Sequence, residues 1–128
     1  MRPSAIVLAT MSAVTVFASF DATGQSNPYN GTWHATFKGF SGANRDGTVI
    51  VADEAGSWDM NITDSSNPCV GRKFPIAVRK ATAEELEFVV NGSKTLVGCP
   101  DTQLTFRAID ASTLKGMVNG NEFTLKKK

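Results

Sequence analysis

The sequence predicts an all-β domain with one disulfide: eight antiparallel strands forming an up-and-down barrel, or else a flattened barrel or sandwich. Three observations carry this expectation. Apolar and polar residues alternate with period two through nearly the whole chain beyond residue 30, in stretches of strand length. No helical pattern long enough for a crossover separates these stretches, so parallel pairing is not expected and a meander is. The two cysteines, Cys69 and Cys99, fall in two connections that a meander brings to the same end.

The chain has 128 residues, which fits one domain. Its opening stretch, "MRPSAIVLATMSAVTVFA", has one early charge, Arg2, followed by an apolar run over residues 5–18. A membrane-spanning helix needs about 20 apolar residues, so this run is too short. It has the form of a secretory signal peptide, with small residues before a cut after Ala18 and a second candidate cut after Gly24. Residues 1–24 are therefore expected to be a leader, and 25–128 a single barrel domain able to bury one core. So short a leader, with one basic residue, points to a bacterial protein that is secreted or periplasmic.

The strands follow in order. Trp33, Ala35 and Phe37 alternate with Thr32, His34 and Thr36. Val49 and Val51 mark the second strand, after Asp46-Gly47, and Trp58, Met60 and Ile62 the third. Phe74, Ile76 and Val78 mark the fourth; Leu86, Phe88 and Val90 the fifth. Just before the fifth, "TAEEL" (82–86) spaces Thr82 and Glu85 like a capping box, but the following Phe88-Val89-Val90 favours a strand. Leu104, Phe106 and Ala108 mark the sixth strand, Leu114, Gly116 and Val118 the seventh, and Phe123 and Leu125 the eighth. Asn119-Gly120 between the last two is a type I′ hairpin signal. The expected inward set is Trp33, Phe37, Trp58, Met60, Ile62, Phe74, Ile76, Leu86, Phe88, Leu104, Phe106, Leu114, Phe123 and Leu125. Eight strands enclose an interior that side chains can fill or that holds one small ligand, and so many large residues favour filling.

In a meander, alternate connections lie at the same end. Residues 39–46, 64–71, 92–101 and 119–121 then share one end, and residues 53–56, 80–84 and 110–112 the other. The first set is longer and contains both cysteines. An even cysteine count in an exported protein reads as one disulfide. A rigid β scaffold often presents its binding groups on loops, so the long-loop end is the candidate site. Phe40 is its candidate aromatic anchor, with Asn44, Arg45, Arg72, Lys94 and Asp101 around it.

Several classes find no support. The net charge of +1 gives no footprint for nucleic acid or anionic membranes. The one charge run, Lys126-Lys127-Lys128, reads as a solvated tail that discourages edge pairing. The sole histidine, His34, falls on the predicted outer face, and no nucleophile–base–orienter set can be assembled. There is no metal-ligand spacing and no phosphate loop, so neither a metal nor a cofactor is expected, and the chain is not expected to be an enzyme.

Gly31-x-Trp33 at the head of the first strand resembles the opening of calycin-type small barrels, the lipocalins and avidins. That resemblance implies a meander of eight strands. An arginine on the last strand, which packs on this tryptophan in lipocalins, is not evident in the sequence, and no binding residue carries over. The expected function is an exported, non-enzymatic binding protein that engages a protein partner, as an inhibitor or immunity-like protein would, through its long-loop end. The competing expectation is a carrier of a small hydrophobic ligand, which a cavity of several hundred Å³ would favour.

Overall fold

The structure, a computed structural model, describes residues 27–39, 42–63 and 65–128. The expected leader (1–24) and Phe40 lie outside the described residues. Eight strands follow one another: β1 (Gly31–Lys38), β2 (Asn44–Ala52), β3 (Ala55–Met60), β4 (Lys73–Ala81), β5 (Glu85–Asn91), β6 (Asp101–Asp110), β7 (Thr113–Val118) and β8 (Asn121–Lys127). Each pairs antiparallel with the next, and β8 pairs back onto β1, so the sheet closes into an up-and-down barrel rather than a sandwich.

Alternation produces the core. In β1, Trp33, Ala35 and Phe37 are buried while Thr36 and Lys38 face solvent. The expected inward set is buried with one exception. Ile62 is only partly buried, because β3 ends at Met60 and the Ile62 N–H turns back to the Met60 carbonyl, 2.9 Å away. Aromatic rings run across the barrel: Phe37 stacks on Phe123 (4.1 Å between centroids), Phe123 on Trp58 (5.7 Å), Trp58 meets Phe88 (6.0 Å) and Phe88 stacks on Phe106 (5.7 Å). Such offset and tilted pairs add to what burial alone contributes. Register shifts in β4 at Val78/Lys80 and in β6 at Ala108/Asp110 leave Arg79 and Ile109 outside the ladder. Irregularities of this kind bend strands, which closing a barrel requires.

Several elements differ from expectation. Lys126 and Lys127 are not a free tail; they pair with His34 and Trp33 to complete the seam. Asn44 and Arg45 begin β2, and Asp101 begins β6, so none of the three is a loop residue. "TAEEL" forms no helix: the Thr82 Oγ1 accepts from the Glu84 and Glu85 N–H groups, but the Thr82 N–H donates to the Glu85 carbonyl and closes a hairpin. The connection after β5 contains a single 3-10 turn at Gly92–Lys94 that alternation did not announce. The Asn119-Gly120 turn has positive φ at both residues (51° and 83°), as a type I′ hairpin needs.

The two ends differ. At one lie the short turns 53–54, 82–84 and 111–112, and residues 27–30 bond to the first two of them. Tyr29 is buried there, with its hydroxyl donating to the Thr82 carbonyl and its own carbonyl accepting from Trp33 Nε1 at 2.8 Å. The Asn27 and Asn30 side chains bond to Asp53 and fasten this strap to the first turn. The other end receives the connections 39–43, 61–72, 92–100 and 119–120. Cys69 and Cys99 join two of these as a disulfide with a Cα–Cα distance of 5.5 Å. A disulfide fits an oxidising, extracytoplasmic setting.

Candidate binding site at the barrel mouth

The open end is shaped by where the inward faces of the strands run out. Phe37 and Arg45 are direct partners in the β1–β2 ladder, so their side chains lie on the same, inward face. The Arg45 stem crosses Gly39, where an added Cβ would lie 3.1 Å from its Nε. One cleft of about 570 Å³ forms here, lined by Phe37, Arg45, Ile62, Ser65, Ser66, Asn67, Val70, Val118, Asn119, Asn121 and Phe123. A second, of about 430 Å³, is lined by Trp58, Phe74, Val90, Leu104, Thr102, Pro100 and the Cys69–Cys99 bridge. Asn67, Val70, Val118 and Asn119 border both, so the two are lobes of one mouth. The stacked rings of Phe37, Phe123 and Trp58 run beneath both lobes. The floor of the mouth is thus the top of the core, and its rim is amides and hydroxyls. Among the described lining residues, Arg45 is the one charged side chain.

Phe40 lies outside the described residues; of the other five residues expected to form a recognition surface, Arg45 alone lines this mouth. Asn44 is exposed and lines a groove on the outer wall with Thr36, Lys38 and Glu122. Arg72 is exposed and its Nε donates to the Pro68 carbonyl at 2.5 Å, tying down its own loop. Lys94 is exposed in the 3-10 turn and borders neither lobe. Asp101 Oδ1 accepts from the backbone N–H of Ser93 at 3.0 Å and from its hydroxyl at 2.8 Å. Those two bonds hold its carboxyl below the usual range, and the residue fastens the 3-10 turn instead of facing the cleft. Residues that sequence reasoning passed over are Val70 and Val118, which border both lobes, and Val97, 96% exposed on the disulfide-pinned connection. A lone valine between Leu96 and Gly98 in a predicted loop was the only signal for the last.

The outer wall carries a separate polar groove of about 410 Å³, with His34, Asp46, Thr48, Asp59 and Asn61 among its residues. His34 Nε2 lies 3.1 Å from Asp46 Oδ2, and Asn61 Nδ2 donates to Asp46 Oδ1 at 3.5 Å. These hydrogen bonds, His34's foremost, lower the Asp46 pKa from its usual value. His34 is half-exposed on the outer face, where alternation put it. Among the described residues, no group of three or more histidine, cysteine or acidic side chains is placed to hold a metal ion.

No protein-family model matches the sequence, and no curated protein matches it. Among solved structures, a redesigned β-barrel is similar at 15% identity, over 79% of this chain and 92% of that barrel, with a TM-score of 0.46.

Proposed function

We propose that this chain is an exported, non-enzymatic binding protein that holds a small, largely apolar ligand in its open mouth. One observation supports this above the others. The barrel is shut at one end by the Tyr29 strap, while at the other its aromatic core forms the floor of a two-lobed cleft. Ligand sites are characteristically clefts of roughly 300–1,000 Å³, mostly apolar with a few placed polar groups. The mouth has that size and that make-up. Export rests on the leader pattern and agrees with the disulfide.

The reading is tested with N-phenyl-1-naphthylamine, a neutral apolar dye that brightens when removed from water. Its emission should rise saturably with the protein. Val70→Trp fills the boundary between the lobes and should abolish that rise with the thermal melt unchanged. Glu54→Ala, at the closed end, should leave it intact. Equal dye binding by Val70→Trp would remove the mouth from consideration.

A protein partner at the same end is the second reading, and the exposure of Val97 is what favours it. In that case Val97→Asp should abolish capture of the partner from an envelope extract while dye binding persists.

A further inference from the structure

We propose that the mouth selects an amphiphilic anion, with an apolar body across the aromatic floor and one carboxylate-like head against Arg45. This rests on the ligand-binding reading above and adds the charge of the ligand.

The position of Arg45 is the first argument. Its register with Phe37 turns it inward at the level where the core stops, so a cation borders an apolar cleft. It is half-buried and also borders the groove on the outer wall. An arginine in such a place lays its stem along apolar surface and keeps its head near water. A ligand lying in the cleft therefore meets the guanidinium at its edge, where an ionised head can remain partly hydrated.

The composition of the lining is the second. Among the described residues of both lobes there is no carboxylate to hold a ligand cation. Asn67, Asn119, Asn121 and the serine hydroxyls can donate to an anionic head or accept from a cationic one, so among the described lining residues Arg45 alone discriminates by sign. A guanidinium presents five N–H donors in a planar fork that fits a carboxylate in bidentate fashion. With five donors, a guanidinium can serve more than one acceptor at a time. Charge-assisted bonds of this kind are about twice as strong as neutral ones, and partial removal from water strengthens them further. A neutral apolar compound would use the floor and gain nothing from Arg45; an alkylammonium would be repelled by it.

Trp58 gives the readout. It lies in the second lobe, whereas Trp33 is packed at the closed end and supplies a constant background. Dodecanoate, dodecan-1-ol and dodecyltrimethylammonium, each below its micelle concentration, are titrated against the protein while Trp58 emission and displacement of N-phenyl-1-naphthylamine are followed. Dodecanoate is expected to bind at least about tenfold tighter than the alcohol, a difference of about 1.4 kcal/mol, and the ammonium weakest. Arg45→Met should erase most of that preference, read as the ratio of dodecanoate to dodecan-1-ol affinity within the same variant; Arg45→Lys should retain part of it. Equal binding of acid and alcohol, or a preference that survives Arg45→Met, overturns the anion inference and leaves the ligand-binding reading standing. Failure of all three compounds to alter Trp58 emission or displace the dye overturns both. The comparison of the three compounds on the unaltered protein decides the matter even if Arg45→Met does not fold.

Discussion

The Nζ of Lys127 lies 5.7 Å from the centre of the Trp33 ring, and the two residues face each other across the β1–β8 seam that closes the barrel. Gly31 makes this contact feasible. A Cβ there would meet the Lys127 Cε at 3.0 Å, and its φ of +134° is one that other residues rarely adopt. The Gly-x-Trp at the head of β1 is therefore a packing device: the glycine leaves a path by which a lysine stem crosses the tryptophan. Gly31→Ala should cost about 1–3 kcal/mol through backbone strain and displacement of Lys127. Lys127→Ala should cost about 0.5–1 kcal/mol, the usual size of an exposed cation–π contact. Urea unfolding of the two single variants and the double variant checks the link. If the glycine serves the lysine, the double variant will be less destabilised than the sum of the singles; strict additivity would separate the two residues.

Tyr29 is the chain's single tyrosine, so its titration can be followed directly. Burial, and then the charges of Glu84 and Glu85, raise its pKa above the usual 10.0. The unfolded chain gives up this proton first. The stability linked to Tyr29 is thus fully present below the unfolded pKa, and is lost as pH rises through the higher folded value. Melting temperatures measured between about pH 8 and 11 should fall more steeply for the natural chain than for Tyr29→Phe, since other tyrosine titration is absent. At neutral pH, Tyr29→Phe should cost about 1 kcal/mol for the lost bond to Thr82. Parallel pH curves for the two proteins would show that the phenol is not held as described.

The strand count, the meander, the inward set and the cysteine pairing were legible because each follows from alternation or from topology. Alternation fails where both faces of a strand are wet. Asn44, Arg45 and Asp46 read as loop because they are polar in a row, yet they continue β2 up to the open mouth, where the inward face also meets solvent. Tyr29 precedes all alternation and is buried by contact with a turn 53 residues away, which no local pattern announces. The candidate site was read by collecting charged residues near long connections. Two of those charged side chains instead bond to backbone of nearby connections, Arg72 to Pro68 and Asp101 to Ser93. The residues that shape the cleft are small apolar ones at strand and loop boundaries, such as Val70 and Val118, whose sequence pattern matches any other strand end.

The register of the barrel predicts opposite outcomes for two positions. Phe88 is fully buried between Trp58 and Phe106. Phe88→Ala removes a ring from this stack and should cost about 3–5 kcal/mol. His34 is half-exposed, and its pairing with Asp46 is a surface interaction of little worth. His34→Ala should leave the unfolding midpoint in urea almost unchanged. A larger loss for His34 than for Phe88 would mean that the inward and outward faces have been exchanged.

The disulfide couples stability to the site. Cys69 and Cys99 are 30 residues apart, and the bridge forms part of the wall of the second lobe. On the chain-entropy model, closing a loop of that length stabilises by about 3–4 kcal/mol. Intact mass of the protein purified without reductant should fall short of the fully reduced value by two hydrogens, with neither Cys69 nor Cys99 available for labelling. Replacing both cysteines by serine should lower stability by roughly the stated amount without abolishing the fold, since the ring stack from Phe37 to Phe106 makes no use of the bridge. The larger consequence should be at the mouth. Without the bridge, the connections 61–72 and 92–100 gain freedom that a ligand must then remove on binding, and affinity falls by the cost of ordering them. Hydrogen exchange should accelerate in those two connections and stay unchanged along β1 and β8. N-phenyl-1-naphthylamine should bind the double serine variant more weakly, at a temperature where that variant is still folded. Undiminished dye binding there would show that the strands alone shape the cleft and that the bridge serves stability only.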